Sequence, residues 1–280
     1  MDYKKLAEAL FPNINENIEY YENEVFPKRN LPEGAKVTRL GPSPTGFIHL
    51  GNLYGAFVDE RLAHQSQGVF FLRIEDTDEK RKVEGSVELI ISSLKYFGLN
   101  FDEGASLVGE IGSYGPYYQS NRGKIYQCVA KYLVEQGRAY PCFCTEEELE
   151  EIRKQQVEEN VNTGYYGKWA KDRNLTLEEV QAHLDNNEEF VLRFKSMGTE
   201  EGTFEIEDAI RGNLNIHENY QDVVILKTNG IPTYHFAHVV DDHLMRVTHV
   251  IRGEEWLSTL PIHYEIFKTF GWQTPIYCHT

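Results

Sequence analysis

The chain of 280 residues carries a net charge of −16, and 41% of its residues are hydrophobic, as in a globular protein with one large or two ordinary domains. No apolar run approaches membrane-spanning length, the polar N-terminus has no signal-peptide core, and four cysteines without secretory context predict reduced thiols in the cytoplasm. The acidic charge excludes a uniformly basic nucleic-acid-binding surface, so any contact with RNA phosphates must come from local basic patches.

Strand and helix alternate in the first part of the predicted structure. A short helix at 3–11 and an acidic stretch come first. From residue 37 the order is a strand at 37–40, a helix at 50–66, a strand at 69–74 and a helix at 84–97. This alternation is typical of an open parallel α/β sheet.

The middle of the chain has a different pattern. Helices are predicted near 122–136, 146–157 and 177–185, and capping boxes at Thr145 and Thr176 begin the last two. Short strands follow at 190–195 and 204–206, and Asn229-Gly230 predicts a hairpin between strands at 222–228 and 231–236. A strand at 247–251 and a helix near 255–270 end the order. The sequence therefore predicts a parallel α/β fold that is split by an inserted α+β module.

The segment between the first strand and the first long helix has the features of an anion site. A Gly/Pro-rich turn leads from the strand to a helix N-terminus at His49-Leu-Gly51. Free backbone N–H groups and the helix dipole both face such a loop, and the glycines allow a close approach of the backbone. His49 adds a side-chain donor where phosphate charge would lie.

Charged side chains are also predicted at the ends of buried strands, where ligands bind in open α/β sheets. Glu75 is placed to hold a substrate ammonium group, or it belongs to an acidic turn in which Asp76 or Asp78 caps the next helix. Arg39 and Arg252 are costly to bury without a partner. The carboxylates of a dicarboxylic amino acid would supply one, and so would an internal salt bridge, for example from Arg252 to Glu254 or Glu255.

The histidines of the segment 232–245 permit a further interpretation. The spacing of His235, His238 and His243 suggests a metal site, but the same segment also fits a strand that passes into a helix, in which the ligands would not converge.

Four sequence segments resemble glutamyl-tRNA synthetases of the bacterial type, which are class I aminoacyl-tRNA synthetases. Arg39–Asn52 resembles the "HIGH" motif in its Pro-Ser-Pro-Thr-Gly setting, and Arg73-Ile-Glu-Asp-Thr-Asp78 resembles the "RIEDTD" motif. Segments 232–245 and 251–256 resemble two further segments of the family, and the resemblance implies that they form walls of the amino-acid and adenine pockets. The resemblance runs from about residue 37 to residue 280. It implies a Rossmann-like catalytic domain with a first half at 36–121, an inserted acceptor-stem-binding module at 122–221 and a second half at 222–280, after an N-terminal extension at 1–35.

The resemblance also implies an activity and its partners. The reaction is the ATP-dependent activation of L-glutamate to glutamyl-adenylate, followed by transfer to the 3′ end of tRNA(Glu). Mg²⁺ arrives with ATP. The protein is expected to be a monomer in the cytoplasm without a membrane partner.

The site residues implied by the resemblance fall into four groups. His49 and Gly51 serve catalysis. ATP would be bound by Pro42, Ser43, His49, Gly51, Asn52 and Trp256. Glutamate would be bound by Arg39, Ser43, Glu75, Tyr234, His238, Arg252 and Glu255. The tRNA would be contacted by Lys168, Lys171 and Arg173, although three exposed basic residues also fit an ordinary solvated face.

Zinc is not expected. Cys142-Phe-Cys144 resembles the first half of a zinc signature found in some relatives, and a structural site needs four ligands. The partners expected 20–27 residues further on are absent, because Gly164-Tyr-Tyr-Gly-Lys-Trp169 contains neither Cys nor His.

Two departures from the family pattern leave alternatives open. His238 stands where glutamyl enzymes usually have Asn and glutaminyl enzymes have His. The "KMSKS"-type loop and the anticodon-binding region do not occur in the sequence, so we expect an excised catalytic fragment that is weakly active alone. The alternatives are a glutamyl-queuosine-type tRNA(Asp) synthetase, a glutaminyl-tRNA synthetase and a non-catalytic ligand-binding relative. Because two guanidinium groups suit two carboxylates, we predict a preference for glutamate over glutamine.

Overall fold

The computed structural model describes residues 1–280, except for the side chain of Glu79. The helices are α1 (Tyr3–Leu10), α2 (Ile18–Tyr20, continued by a π-helical turn at Tyr21–Val25), α3 (Leu50–Gln65), α4 (Ser86–Tyr96), α5 (Gly123–Glu135), α6 (Glu146–Glu158), α7 (Leu177–Asp185), α8 (Tyr234–Leu244) and α9 (Leu260–Phe270). The strands are β1 (Val37–Leu40), β2 (Val69–Leu72), β3 (Glu103–Ser106), β4 (Gly109–Ile111), β5 (Ala139–Cys142), β6 (Val191–Phe194), β7 (Thr203–Asp208), β8 (Gly212–His217), β9 (Val224–Leu226), β10 (His249–Arg252) and β11 (Ile276–His279). Short 3₁₀ turns lie at Glu79–Arg81, Gln119–Arg122, Gly167–Trp169, Lys171–Asn174 and Glu254–Thr259.

Two mixed sheets meet in the centre of the fold. In the first, β1, β2 and β3 are parallel and β4 is added antiparallel at the edge. In the second, β10, β11 and β7 are parallel and β8 is the antiparallel edge strand. The Thr248 N–H donates to the Val37 carbonyl at 2.9 Å, so the beginnings of β10 and β1 lie side by side. The carboxyl ends of these strands therefore face a common region.

The core explains why these segments form these elements. β1 and most of β2 are buried, and apart from Arg39 they consist of β-branched, aromatic and leucine residues, which suit strands covered on both faces. Helix α5 presents Ile125, Val129 and Leu133 to a core that also contains Leu6 of α1 and Phe236 of α8. The N-terminal segment is thus part of the main core, and its apolar face is buried against α5.

A third sheet, with the antiparallel order β5-β6-β9, belongs to the middle of the chain. The boundaries of the inserted module at 122–221 stay a prediction. Two strands inside these boundaries belong to the second sheet, because β7 pairs with β11 and β8 pairs with β7. None of the described helices combines the length and apolar character needed to cross a membrane.

Most predicted elements agree with the structure to within about two residues, including β1, α3 and α7. The predicted strand at 231–236 is wrong. The Asn229-Gly230 turn does form, since the Lys227 N–H donates to the Ile231 carbonyl at 2.8 Å and the Thr233 N–H donates to the Ile225 carbonyl at 2.9 Å, but the extended segment ends at this point. Thr233 then caps α8, which begins at Tyr234. Strands β3, β4, β5, β8 and β11 were not predicted.

Candidate active site

A network of buried ion pairs lies at the carboxyl ends of β1 and β2. Arg39 Nε donates to both carboxylate oxygens of Asp242, at 3.2 and 3.1 Å. Arg73, which follows β2 and is fully buried, donates to Asp242 Oδ1 at 2.6 Å and to Glu75 Oε1 at 2.9 Å. For Arg39 the alternative of an internal salt bridge is therefore confirmed.

The network changes the acidity of its two carboxylates in opposite directions. Burial alone would raise the pKa of Asp242, but Arg39 and Arg73 together lower it below the ordinary value. Burial raises the pKa of Glu75, and the neighbouring Arg73 and Arg39 offset this only in part. A substrate ammonium group beside Glu75 would stabilise its charged form.

An aromatic wall stands opposite this network. The Tyr234 ring centroid lies 4.7 Å from that of Trp256 and 5.9 Å from that of His238. Burial, followed by the charge of nearby Glu75, raises the pKa of Tyr234 to about 12. His238 is fully buried, and its Nε2 lies 3.2 Å from the Tyr277 hydroxyl. Its Nδ1 lies 3.4 Å from Arg39 Nη2, so both ring nitrogens have partners within the protein.

Arg252 differs from Arg39 because its partners are neutral. Its Nε donates to His279 Nε2 at 2.9 Å, and its Nη1 lies 3.3 Å from His263 Nδ1. Its Nη2 is buried and has no hydrogen-bond partner among the described residues. The predicted alternative of a salt bridge to Glu254 or Glu255 is wrong, because Glu254 pairs with Arg211 and Glu255 is exposed. The guanidinium charge of Arg252 is therefore available to an anion.

The glycine- and proline-rich loop after β1 is tied to the same site. The Pro42 carbonyl accepts the Glu75 N–H at 3.0 Å, which holds the loop beside the turn after β2. A Cβ on Gly41 would collide with the carboxylate of Glu75, so a side chain at this position would displace Glu75 from its place beside Arg73. Pro42 is buried, whereas Ser43 is exposed.

The loop ends at the N-terminus of α3. His49 is the residue before the helix and is exposed, and its N–H donates to Asn52 Oδ1 at 3.4 Å. A side chain on Gly51 would press against the His49 ring, since its Cβ would come within 3.2 Å of Nδ1. The helix therefore begins beside an exposed imidazole. The backbone N–H groups at its N-terminus and the imidazole can both bind phosphate oxygens.

The predicted tRNA contacts lie elsewhere, in the middle segment. Lys168 pairs with Glu159 at 2.7 Å, and Lys171 lies 3.8 Å from Glu148; both lysines are exposed. Arg173 is turned inward and donates to the Ser196 carbonyl. Its guanidinium is therefore engaged within the protein.

The two candidate metal clusters have different outcomes. The interpretation of His235, His238 and His243 as a metal site is wrong. His243 lies 2.6 Å from Glu22 and stacks on Trp272, away from the other two histidines. Cys142 and Cys144 have a third potential ligand in Asp172, with all three ligand atoms within 4.8 Å of one another. The zinc signature predicts Cys or His about 20–27 residues after Cys144, whereas Asp172 is a carboxylate 28 positions away, so the sequence did not indicate it.

Sequence analysis also missed the buried partners of the arginines. The sequence indicated Arg73 only as the first residue of a motif. It predicted no role for Asp241, Asp242, His263 and His279. Asp241 accepts hydrogen bonds from Gln119, Arg122 and Tyr126 and supports the same network. The available signal was the Asp241-Asp242 pair directly after the apolar residues Val239 and Val240, since carboxylates in a buried helix demand polar partners.

Parallel strands whose carboxyl ends carry a glycine- and proline-rich loop, a helix N-terminus and a cluster of buried charged side chains fit the catalytic domain of a class I synthetase. The family model for tRNA synthetases class I (E and Q), catalytic domain, matches residues 36–280, and the chain belongs to this family.

The relatives and the solved structures agree with this assignment. The chain is 78% identical over 280 residues to a glutamate–tRNA ligase of Acetivibrio thermocellus, covering 100% of this chain and 51% of that protein. It is 51% identical over 282 residues to a glutamate–tRNA ligase of Clostridium beijerinckii, covering 100% and 50%. A crystal structure of a glutamate tRNA ligase from Elizabethkingia meningosepticum in complex with its amino acid matches with a TM-score of 0.79 at 38% identity, over 87% of this chain and 49% of that one. The chain thus spans about half the length of these relatives.

Proposed function

We propose that this chain activates L-glutamate with ATP to form glutamyl-adenylate, for transfer to the 3′ end of tRNA(Glu). The observation that carries the proposal is the buried Nη2 of Arg252, which has no partner among the described residues and belongs to the same pocket as Glu75 and Tyr234. A buried guanidinium without a counter-charge is costly, and a substrate carboxylate supplies that charge.

Glutamate would be held by opposite charges at its two ends. Glu75 would bind the ammonium group, Arg252 one carboxylate, and Arg39 would favour the second carboxylate through its field while it remains paired with Asp242. Tyr234 and His238 would form the apolar and polar parts of the wall. Ser43 and Glu255 remain proposed contacts at the exposed rim.

ATP would lie across the loop and the N-terminus of α3. The N–H groups at Gly51 and Asn52 and the His49 imidazole would bind its phosphates, with Mg²⁺ arriving as part of the ATP complex and Trp256 lying beside the adenine. The reaction needs alignment for in-line attack of the glutamate carboxylate on the α-phosphate and stabilisation of the crowded phosphate charge. Pro42 would hold the loop in position through its bond to the Glu75 backbone.

The 3′ end of tRNA would enter from the middle segment. A cavity of about 590 Å³ there is lined by Arg153, Arg193 and Tyr165 on one side and reaches Tyr234 and His235 of the amino-acid pocket. Lys168 and Lys171 are proposed phosphate contacts, while Arg173 is left out because its guanidinium is engaged internally. We further propose that the protein acts as a monomer in the cytoplasm and holds no zinc.

The glutaminyl alternative rested on His238. Because both of its ring nitrogens have partners in Arg39 and Tyr277, His238 supports the wall and leaves no free group for an amide. This favours glutamate, for which the charge of Arg252 is decisive.

Glutamate-dependent ATP–pyrophosphate exchange tests the proposal, together with glutamate binding by calorimetry. Arg252→Gln should weaken glutamate binding by about 10–100-fold, the effect of losing a charged hydrogen bond. Arg81→Gln is the matched control, because this exposed arginine makes an ion pair with the nearby Asp78. Glutamate binding without any exchange in a full-length protein that carries this chain would favour the non-catalytic alternative. Exchange that depends on glutamine alone would contradict the proposal.

A further inference from the structure

Arg252 is held from behind by two buried residues that the proposed reaction does not use. Asp208 Oδ2 lies 2.6 Å from His279 Nδ1, and His279 Nε2 accepts a hydrogen bond from Arg252 Nε at 2.9 Å. The three side chains are 1%, 0% and 9% exposed. They form a continuous chain of hydrogen bonds from β7 through β11 to β10.

Strand register produces this alignment. In the parallel pairing of β10 with β11, Arg252 is the partner of His279, and in the pairing of β11 with β7, Tyr277 is the partner of Asp208. The Tyr277 ring lies 4.7 Å from the guanidinium carbon of Arg252. The sheet therefore fixes both the hydrogen-bond partner and the stacking partner of Arg252.

The bonding pattern determines the tautomer of His279. An arginine Nε can only donate, so His279 Nε2 must be the acceptor and Nδ1 must carry the proton. That proton is donated to the Asp208 carboxylate, which also accepts the backbone N–H groups of Ile210 and Arg211 at 3.0 Å. Burial lowers the pKa of His279, which keeps the ring neutral.

A neutral partner orients Arg252 without cancelling its charge. Nε is bound by His279 and Nη1 by His263, so the plane of the guanidinium is set and Nη2 is the nitrogen left for a ligand. Arg39 differs, because the carboxylate of Asp242, which it shares with Arg73, is in direct contact with its guanidinium. The carboxylate of Asp208 is separated from Arg252 by the width of the imidazole ring.

We propose that Asp208 and His279 are positioning residues that hold Arg252 with Nη2 toward the pocket and thereby determine the affinity for the carboxylate of glutamate. This rests on the proposed function. It also assigns a role to β7, which lies inside the predicted module 122–221 and contributes Asp208 to the support of the pocket. The carboxylate–imidazole pair acts on a guanidinium here in the way that such pairs orient metal ligands elsewhere.

The test is calorimetric binding of glutamate and of ATP to the chain and to matched variants. His279→Leu and Asp208→Asn should weaken glutamate binding by about 10–100-fold, the range for outer partners of a binding group. The affinity for ATP should not change in these variants. A general loss of structure would weaken the binding of both ligands, so unchanged ATP binding shows that the effect is local. His279→Asn should retain most of the glutamate affinity, because an amide offers one donor and one acceptor. The controls are Glu207→Gln and His217→Gln, which alter exposed side chains on β7 and β8.

A spectroscopic measurement keeps the proposal testable if a variant does not fold. ¹⁵N NMR of histidine-labelled chain should show His279 protonated at Nδ1 and unprotonated at Nε2, and the opposite tautomer or an imidazolium would overturn the proposal. Glutamate binding that is unchanged in both His279→Leu and Asp208→Asn would also overturn it while leaving the proposed function intact. If the unaltered chain binds no glutamate, the proposed function itself is wrong and the positioning role is wrong with it.

Discussion

The proposed amino-acid pocket and the proposed nucleotide loop lie side by side but are built in opposite ways. In the pocket, Arg39, Arg73 and Asp242 are buried and bound to one another. In the loop, Ser43 and His49 are exposed, and the anchoring contacts are made by the backbone. The pocket is thus stabilised by the same charges that would recognise a substrate, whereas the loop side chains are separate from the stability of the fold.

This difference predicts which substitutions damage the fold and which damage only the chemistry. A buried ion pair that loses one partner leaves an uncompensated charge, and an exposed side chain that is removed leaves only solvent. The following experiments test this contrast, beginning with the largest expected effect.

Arg73→Met should lower the free energy of unfolding by about 3–5 kcal/mol, because it leaves Asp242 and Glu75 with less positive charge in a buried site. Urea denaturation of the chain measures this effect. Arg81→Met is the matched control, since Arg81 is 69% exposed and pairs with the nearby Asp78, and it should change stability by about 0–1 kcal/mol. Equal losses for the two variants would contradict the contrast.

His49→Ala should slow ATP–pyrophosphate exchange by about 10²–10³-fold, the range for the loss of one transition-state donor. Its unfolding free energy should stay within about 0.5 kcal/mol, because the side chain is exposed. The rate is measured in a full-length protein that carries this chain, and His64→Ala at the other end of α3 is the control. Unchanged exchange would remove His49 from the mechanism.

The pocket should also make stability depend on pH through its neutral histidines. Burial, and then the charge of Arg252, lower the pKa of His235 from 6.5 to about 4. Between these two pH values His235 binds more protons in the unfolded chain than in the folded chain. The contribution of the neutral ring to the free energy of unfolding is therefore complete above pH 6.5 and is lost as the pH falls toward 4. The loss should be on the order of 2–3 kcal/mol for this ring.

Denaturation at pH 7 and pH 4.5 measures the effect. His235→Gln should have a smaller difference between the two pH values than the unaltered chain, and the exposed His217→Gln should have the same difference. A larger difference between the two pH values in His235→Gln than in the unaltered chain would show that the neutral ring of His235 is not the source of the pH dependence.

The smallest expected effect concerns zinc. Cys142, Cys144 and Asp172 give three potential ligands, and a closed structural site needs four. We therefore expect that EDTA leaves the melting temperature unchanged and that elemental analysis finds no bound zinc. One zinc per chain, lost together with stability on chelation, would contradict this expectation and make Asp172 a ligand.

The sequence predicted the parts of the fold and site that depend on local signals. The strand at 37–40, the loop and the helix that begins at Leu50 follow from apolar runs, Gly/Pro content and helical spacing. Arg39, Glu75 and Arg252 were predicted at strand ends, and they lie there. The hairpin turn at Asn229-Gly230 was also local, but the helix that begins at Tyr234 cuts the second strand short.

The partners of these residues could not be predicted, because they are distant in the chain. Arg39 and Asp242 are 203 positions apart, and Asp208 and His279 are 71 positions apart. Only the assembled sheet and the packing of α8 bring them together. The internal salt bridge was considered for both Arg39 and Arg252. Arg39 makes one with Asp242, whereas Arg252 is bound by two imidazoles, and this difference depends on the tertiary structure alone.

The central claim is that the pocket selects a substrate with two carboxylates. Calorimetric titration of the chain with glutamyl- and glutaminyl-adenylate analogues tests it directly. We expect the glutamyl form to bind at least about tenfold more tightly, the difference between a charged and a neutral hydrogen-bond partner for a buried guanidinium. Arg39→Ala should weaken binding of the glutamyl form more than that of the glutaminyl form. Equal affinities, or tighter binding of the glutaminyl form, would contradict the account.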